Sequence, residues 1–117
     1  MQTPGKYNIT LYQGASFERI FAWKIDGVPV SLTGYSARMQ VRRNHPSPIA
    51  VITLTTENDG IVLGGSVGTV TLQMSAEETE AVGAAEYIYD IELESPAGDV
   101  YRILEGRFIV SPEVTRV

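Results

Sequence analysis

The chain has 117 residues and no cysteine, and its 14 acidic and 9 basic side chains give a net charge of −5. This length suits one domain with one hydrophobic core, and the negative charge opposes binding to nucleic acid or anionic membranes. The absence of cysteine excludes disulfides, thiolate catalysis and cysteine-ligated metal. We predict a single domain over residues 1–117 with its core in residues 7–110, no cofactor and no metal.

Short runs rich in β-branched and aromatic residues recur along the chain with turn residues between them, which is typical of an antiparallel sandwich. In chain order the predicted strands are YNITLYQ, SFERIFAWKI, YSARMQVRR, IAVITLT, IVL, TVTLQM and the two halves of AEYIYDIELESPAGDVYRILEGRFIV. In the third run Ala37, Met39 and Val41 alternate with polar residues, as in a strand with one buried face. The fold class predicted is all-β, an immunoglobulin-like antiparallel β-sandwich of about 7–9 strands with one short helical turn.

Local signals place the connections between these strands. Asp26-Gly27 between two apolar runs predicts a hairpin, and Pro29 soon after indicates an edge or an irregular crossing. Ser75 with Glu78 three residues later forms a capping-box pattern, so SAEETEAV predicts the short helix. The SPAGD segment predicts the turn of the last hairpin.

Residues 64–68 spell G-x-S-x-G, the nucleophile elbow of serine hydrolases. That elbow needs a strand, a turn and then a helix, with a histidine later in the chain. Here the alternating TVTLQM run follows the loop, and the single histidine, His45, precedes Ser66. We therefore predict that Ser66 is a hairpin-loop residue and that the protein is not an enzyme.

The run AEYIYD resembles the start of strand F in immunoglobulin-like domains. That resemblance implies that Tyr87 is a tyrosine corner, with a plain inward-facing aromatic as the alternative. Further along the strand, Asp90, Glu92 and Glu94 share one face at two-residue spacing. We interpret this face as a solvated one, balanced by Arg102 and Arg107 of the next strand, rather than a metal or catalytic site.

Arginine supplies seven of the nine basic side chains. Arg38, Arg42 and Arg43 cluster on or beside the polar face of one predicted strand. Arginine is enriched at protein interfaces because its planar fork pairs with carboxylates. We predict these three residues as the partner-binding site, for an acidic partner, with exposed arginines that serve only solubility as the alternative.

The order of these segments over nearly the whole chain resembles small β-sandwich structural proteins of tailed bacteriophages. It is also similar, more distantly, to the N-terminal domain of the baseplate upper protein family. The resemblance is carried by strand and turn positions: Leu32-Thr33-Gly34, Ser95-Pro96, Gly98-Asp99, Glu105-Gly106 and Ser111-Pro112.

The resemblance implies a non-enzymatic virion component that attaches in several copies to other phage virion proteins at the tail, baseplate, head–tail junction or capsid surface. It implies synthesis in the host cytoplasm and residence in the virion, with no nucleic-acid or membrane partner and with self-association left open. The alternative is a carbohydrate-binding module. Its stacking platforms would come from exposed aromatic residues, namely Tyr7, Tyr12, Trp23, Tyr35 and Tyr101.

Overall fold

The computed structural model describes residues 4–115. Its strands are β1 Gly5–Lys6, β2 Ile9–Tyr12, β3 Phe17–Ala22, β4 Lys24–Ile25, β5 Val28–Pro29, β6 Ser36–Arg42, β7 Ile52–Thr55, β8 Ile61–Leu63, β9 Thr69–Met74, β10 Glu86–Glu94 and β11 Val100–Ser111. A 3₁₀ turn occupies Gly65–Val67, and helix α1 spans Ala76–Glu80. Among the described residues no helix is both long enough and apolar enough to span a membrane. The outermost residues, 1–3 and 116–117, belong to the predicted domain but lie outside this range.

Two sheets enclose the core. The large sheet has the order β1-β11-β10-β6-β7, with β2 also paired to β11, and the small sheet has the order β3-β9-β8. Strands β1 and β2 run parallel to β11, whereas the other pairs are antiparallel. This arrangement and the single short helix confirm the predicted all-β sandwich, and eight of the described strands have three or more residues.

Alternation along β6 sets which side chains enter the core. Ala37, Met39 and Val41 are at most 3% exposed, whereas Arg38 and Gln40 are exposed on the opposite face. Successive side chains of a strand point to opposite faces. The apolar residues of β6 therefore lie on the buried face, and its polar residues lie on the outer face. The face predictions for this strand are confirmed.

The predicted turns and cap are also present. Asp26 and Gly27 both have positive φ, 52° and 78°, between β4 and β5, as a two-residue hairpin turn of the primed type requires. At α1 the Glu78 N–H donates to Ser75 Oγ at 3.1 Å, and the Ser75 N–H donates to Glu78 Oε1 at 2.9 Å. Ser66 lies in the 3₁₀ turn that joins β8 to β9, so its loop position is confirmed.

Tyr87 forms the tyrosine corner. Its hydroxyl donates to the Gly83 carbonyl at 2.7 Å, and its ring is buried between the sheets. The hydrogen bond ties the turn before β10 to the core, as in strand F of immunoglobulin-like domains. Of the two interpretations made from the sequence, the corner is the one that the structure contains.

Three expectations from the sequence need correction: that IAVITLT is one strand, that Trp23 is buried because it sits in an apolar strand, and that Tyr7 shares one strand face with Ile9 and Leu11. The run IAVITLT does not form one strand, because β7 begins only at Ile52 and Ile49 is 69% exposed, after two prolines that remove main-chain donors. Trp23 is only partly buried, since it follows the end of β3 and packs against Tyr101 with ring centroids 5.7 Å apart. Tyr7 does not join Ile9 in the core; it is 45% exposed, at the edge of the large sheet.

Candidate functional site

The outward side of the large sheet carries alternating charges from four strands. We call this surface the charged face. Its ionic side chains are Lys6 of β1, Arg38 and Arg42 of β6, Glu86, Asp90, Glu92 and Glu94 of β10, and Arg102, Glu105 and Arg107 of β11. Five carboxylates stand against five cations, so the charged face has a formal net charge of zero.

Most of these charges are paired across the sheet. Arg38 lies 2.9 Å from Glu92 and 3.3 Å from Glu94, and the hydrogen bond that Arg38 donates to Glu92 is the main reason that the pKa of Arg38 is raised. Arg102 lies 3.5 Å from Asp90 and 3.4 Å from Glu105. The face is therefore balanced within the sheet and offers no large excess of one sign to a partner.

Arg107 pairs with Glu86 at 3.5 Å, and Lys6 pairs with Glu105. The sequence predicts that Arg102 and Arg107 balance the acidic run of Asp90, Glu92 and Glu94. Arg102 does contact Asp90, but Arg107 contacts Glu86, which lies outside that run, and Arg38 rather than Arg107 pairs with Glu92 and Glu94. Exposed pairs of this kind contribute little to stability individually. Their role here is to hold the face neutral.

The three predicted partner-binding arginines are not brought together. Arg38 and Arg42 share the charged face, but the Arg43 guanidinium lies 5.7 Å from the ring centre of Tyr87, which points into the core. Arg42 donates to the Ser47 carbonyl at 2.8 Å and to Gln40 at 2.7 Å. Partner binding by these residues stays a prediction, and the contacts show that a carboxylate from outside would compete with existing acceptors.

A shallow depression of about 600 Å³ lies in the middle of the charged face. Asp90 and Ile88 line it, together with His45 from the loop after β6. Burial raises the pKa of Asp90, against the opposing effect of Arg102, whereas the hydrogen bond from Lys6 holds the pKa of Glu105 below its usual range. No group of three or more metal-ligating side chains occurs among residues 4–115.

The depression contains no pair of nucleophile and base. Tyr89 is one of the lining residues, but its ring is buried against Phe108 on the inner face, where its hydroxyl donates to the Tyr7 carbonyl at 2.5 Å. Burial raises the pKa of this hydroxyl. The other lining groups of the depression, apart from His45, are carboxylates, guanidiniums, an amide and apolar atoms. This set resembles a salt-bridged surface more than an acid–base or acyl-transfer site.

A second candidate surface is the edge of the small sheet formed by β3. The Trp23 N–H donates to the Gly68 carbonyl at 2.8 Å, so Trp23 and Gly68 are a hydrogen-bonded pair in the antiparallel ladder between β3 and β9. Hydrogen-bonded and non-hydrogen-bonded pairs alternate along such a ladder. Arg19 and Phe21 therefore bond to β9, whereas the main-chain groups of Glu18, Ile20 and Ala22 point away from it.

Part of that edge is already covered. The Arg19 guanidinium donates to the Glu18 carbonyl at 2.9 Å and to the Thr10 carbonyl of β2 at 3.2 Å. It therefore occupies one acceptor on the edge of each sheet. We call residues 20–22 of β3, whose outward main-chain groups lie at Ile20 and Ala22, the open edge.

At the β7 edge of the large sheet, by contrast, a side chain binds main-chain groups that point away from the sheet. Asn58 folds back so that its Nδ2 donates to the Thr53 carbonyl at 3.0 Å, and its Oδ1 accepts from the Thr55 N–H at 2.9 Å. These are the two β7 residues whose main-chain groups point away from β6, since the Thr56 N–H bonds to Ala37. The amide of Asn58 thus takes the place of a neighbouring strand.

The outer surface beside the open edge is uncharged. Ile20, Thr71 and Val62 form one row across the small sheet, and Ile20 and Val62 are 60% and 47% exposed. Sequence reasoning did not find this surface. The sequence of β3 does place the apolar residues Ile20 and Ala22 at outward positions. That β3 is an edge strand, however, follows only from knowing which strands pair with it.

Three of the five aromatic residues named for the carbohydrate-binding alternative, Tyr7, Trp23 and Tyr101, pack in ring pairs rather than on one shared platform. Trp23 packs against Tyr101 with planes tilted by 49°, and Tyr7 packs edge-on against Phe21 at 5.3 Å. These four rings are engaged with one another in two separate pairs.

No family model matches the chain, and no curated protein matches it either. Among solved structures, the chain is similar to CopC from Methylosinus trichosporium OB3b, with 14% sequence identity, a TM-score of 0.47, and coverage of 91% of this chain and 87% of that chain. So remote a likeness assigns no function of CopC to this protein.

The function predicted from the sequence is wrong. The solved structure named above is CopC, and none of the findings links this chain to a phage particle. The role of virion attachment component is therefore withdrawn, and the carbohydrate-binding alternative is withdrawn with it.

Proposed function

We propose that this protein is a non-catalytic protein-binding module that takes an extended segment of a partner protein as an added strand on its open edge. The observation that carries the proposal is the contrast between two sheet edges. Asn58 binds two of the outward main-chain groups of β7, the Thr53 carbonyl and the Thr55 N–H, whereas the outward groups of Ile20 and Ala22 on β3 face away from their own sheet.

Strand addition uses two properties that the open edge combines. Main-chain donors and acceptors supply affinity for any extended segment, and the neighbouring side-chain positions supply selectivity. Here the row of Ile20, Thr71 and Val62 lies beside the edge, so a partner strand with apolar residues at alternate positions would extend that row. An exposed edge without lysine, proline or a bulge is otherwise a liability for a folded protein.

The absence of catalysis in this proposal is supported by the chemistry of the described side chains. His45 is the single histidine of the chain and lines the depression in the charged face. Ser66 lies in an exposed turn that leads into a strand. Ser66 is not among the residues that line this depression, so the two residues do not form a nucleophile–base pair.

A library of unstructured peptides, panned against the protein, tests the proposal. Bound peptides should slow hydrogen exchange at the Ile20 and Ala22 amides. Ile20→Pro removes one outward N–H without removing a ladder bond to β9, so it should abolish binding, because proline is tolerated at an edge whose N–H faces solvent. Ile20→Ala is the matched control, since it removes the side chain but keeps the N–H and should retain measurable binding.

Ala22→Pro provides a second variant in case Ile20→Pro does not fold, which circular dichroism would show. The proposal fails if no peptide protects these two amides. It also fails if folded proline variants bind the selected peptides as tightly as the original chain does.

A further inference from the structure

We infer that the strand added at the open edge comes from a second copy of this chain, paired antiparallel to β3 about a two-fold axis at Ile20. This inference rests on the proposed function and names its partner. A two-fold interface is self-complementary, so the same surface serves both copies and each copy covers the open edge of the other.

The register follows from which main-chain groups point outward. With the axis at Ile20, this residue lies opposite Ile20 of the second copy as a hydrogen-bonded pair. Each Ala22 lies opposite Glu18 of the other copy, whose carbonyl already accepts from the Arg19 guanidinium and would be shared with the Ala22 N–H. Arg19 then lies opposite Phe21. Every paired position belongs to β3, which spans Phe17–Ala22, and no two like charges are opposed.

Neighbouring registers are less favourable. An axis at Arg19 places two guanidiniums directly opposite each other, and an axis at Glu18 does the same with two carboxylates, which destabilises a strand pair. An axis at Phe21 pairs only residues 20–22 before β3 ends at Ala22. The Ile20 axis is thus the register that uses the most of the strand without electrostatic conflict.

Charge also favours this surface for self-association. Each copy carries a net charge of −5, so two copies repel each other over most orientations. The outward row of Ile20, Thr71 and Val62 carries no ionic group. Strand β3 itself carries one carboxylate, Glu18, and one guanidinium, Arg19, so the paired strands are neutral overall. The open edge therefore lets two acidic copies meet through a part of their surfaces that adds no net charge.

The resulting assembly would contain one continuous sheet with the order β8-β9-β3 followed by its two-fold copy. The apolar rows of both copies would join at the Ile20 pair. One pair of short strands buries less area than a stable dimer interface does, so the dimer should be weak and depend on protein concentration. Added salt should strengthen it, because salt screens the repulsion between the copies.

Sedimentation equilibrium over a range of protein and salt concentrations tests the inference. The original chain should dimerise reversibly, and Ile20→Pro should weaken dimerisation by about tenfold or more, because each copy loses an edge hydrogen bond. Ile20→Lys, which keeps the N–H but places two cations opposite each other, should weaken it as well. Ile49→Lys is the matched control at another exposed isoleucine and should leave dimerisation unchanged.

Cross-linking gives an independent readout of the register. The chain has no cysteine, so Ile20→Cys introduces a single thiol, and a short bismaleimide should link two copies at the axis. Ile49→Cys should link much less. Equal cross-linking of the two variants, or a monomer at all concentrations, would overturn the inference.

The outcomes also separate this inference from the proposed function. If the chain stays monomeric but peptides protect the amides of the open edge, strand addition stands and the second copy is rejected. If the chain is monomeric and no peptide binds there, both are rejected. If dimers form and Ile20→Pro does not weaken them, the copies associate through another surface, and pairing with a second copy at the open edge is rejected.

Discussion

Asp90 and Glu105 are directly opposite each other in β10 and β11, but their surroundings change their acidity in opposite directions. Burial raises the pKa of Asp90, so its charged form is less favourable in the folded protein than in the unfolded chain. Asp90→Asn should therefore raise the free energy of unfolding at pH 7. The gain should disappear at acid pH below both pKa values of Asp90, where this carboxyl is neutral in both states.

Glu105→Gln is the matched control in the same cross-strand pair. Lys6 and Arg102 hold the pKa of Glu105 low, so its ionised form stabilises the fold above the unfolded-state pKa of about 4.3. This stability is lost as the pH falls through the lower folded-state pKa. The variant should thus be less stable than the original at pH 7 and should approach it in acid. Urea unfolding at pH 7 and in acid measures the free energy of unfolding of both variants. Changes of the same sign for Asp90→Asn and Glu105→Gln at pH 7 would contradict the opposite pKa shifts of the two carboxyl groups.

At the scale of elements, Asn58 determines how the edge strand β7 ends the large sheet. Asn58→Ala would leave the Thr53 carbonyl and the Thr55 N–H without the side-chain amide that now binds them. We expect a loss of about 1–3 kcal/mol in the free energy of unfolding, and association through the exposed edge. Urea unfolding and light scattering measure the two effects.

Asn58→Asp separates the two functions of that amide. It keeps the acceptor for the Thr55 and Gly60 N–H groups but loses the donor to Thr53. Its loss of stability should lie between those of the original chain and Asn58→Ala. An alanine variant that is fully stable and monomeric would show that Asn58 does not protect this edge.

The elements that the sequence predicted well depend on neighbours in the chain. The β6 alternation, the Asp26-Gly27 turn and the capping box of Ser75 each involve residues within a few positions. The exposure of Ile20 and the only partial burial of Trp23 depend instead on which strands lie side by side. That pairing joins distant segments, such as β2 and β11, and no local pattern specifies which strand becomes an edge.

At the scale of the whole molecule, the two sheets are joined by packing of large side chains between them. Phe108 of β11 is fully buried, and its ring lies 6.2 Å from Phe17 of the small sheet and 6.1 Å from Tyr89 of the large sheet. Such edge-on ring pairs add to the free energy gained from burial of their area. Phe108 therefore contacts both layers, whereas Trp23 packs at the margin of the core.

Phe108→Ala should lower the free energy of unfolding by about 3–5 kcal/mol, because the cavity removes contacts from both sheets at once. Trp23→Ala should lower it by less, since part of that ring is already in contact with solvent. Urea unfolding followed by far-ultraviolet circular dichroism compares the two variants without relying on tryptophan fluorescence. A loss at Trp23 equal to or greater than that at Phe108 would mean that the margin near Tyr101, and not the layer between the sheets, limits the stability of the sandwich.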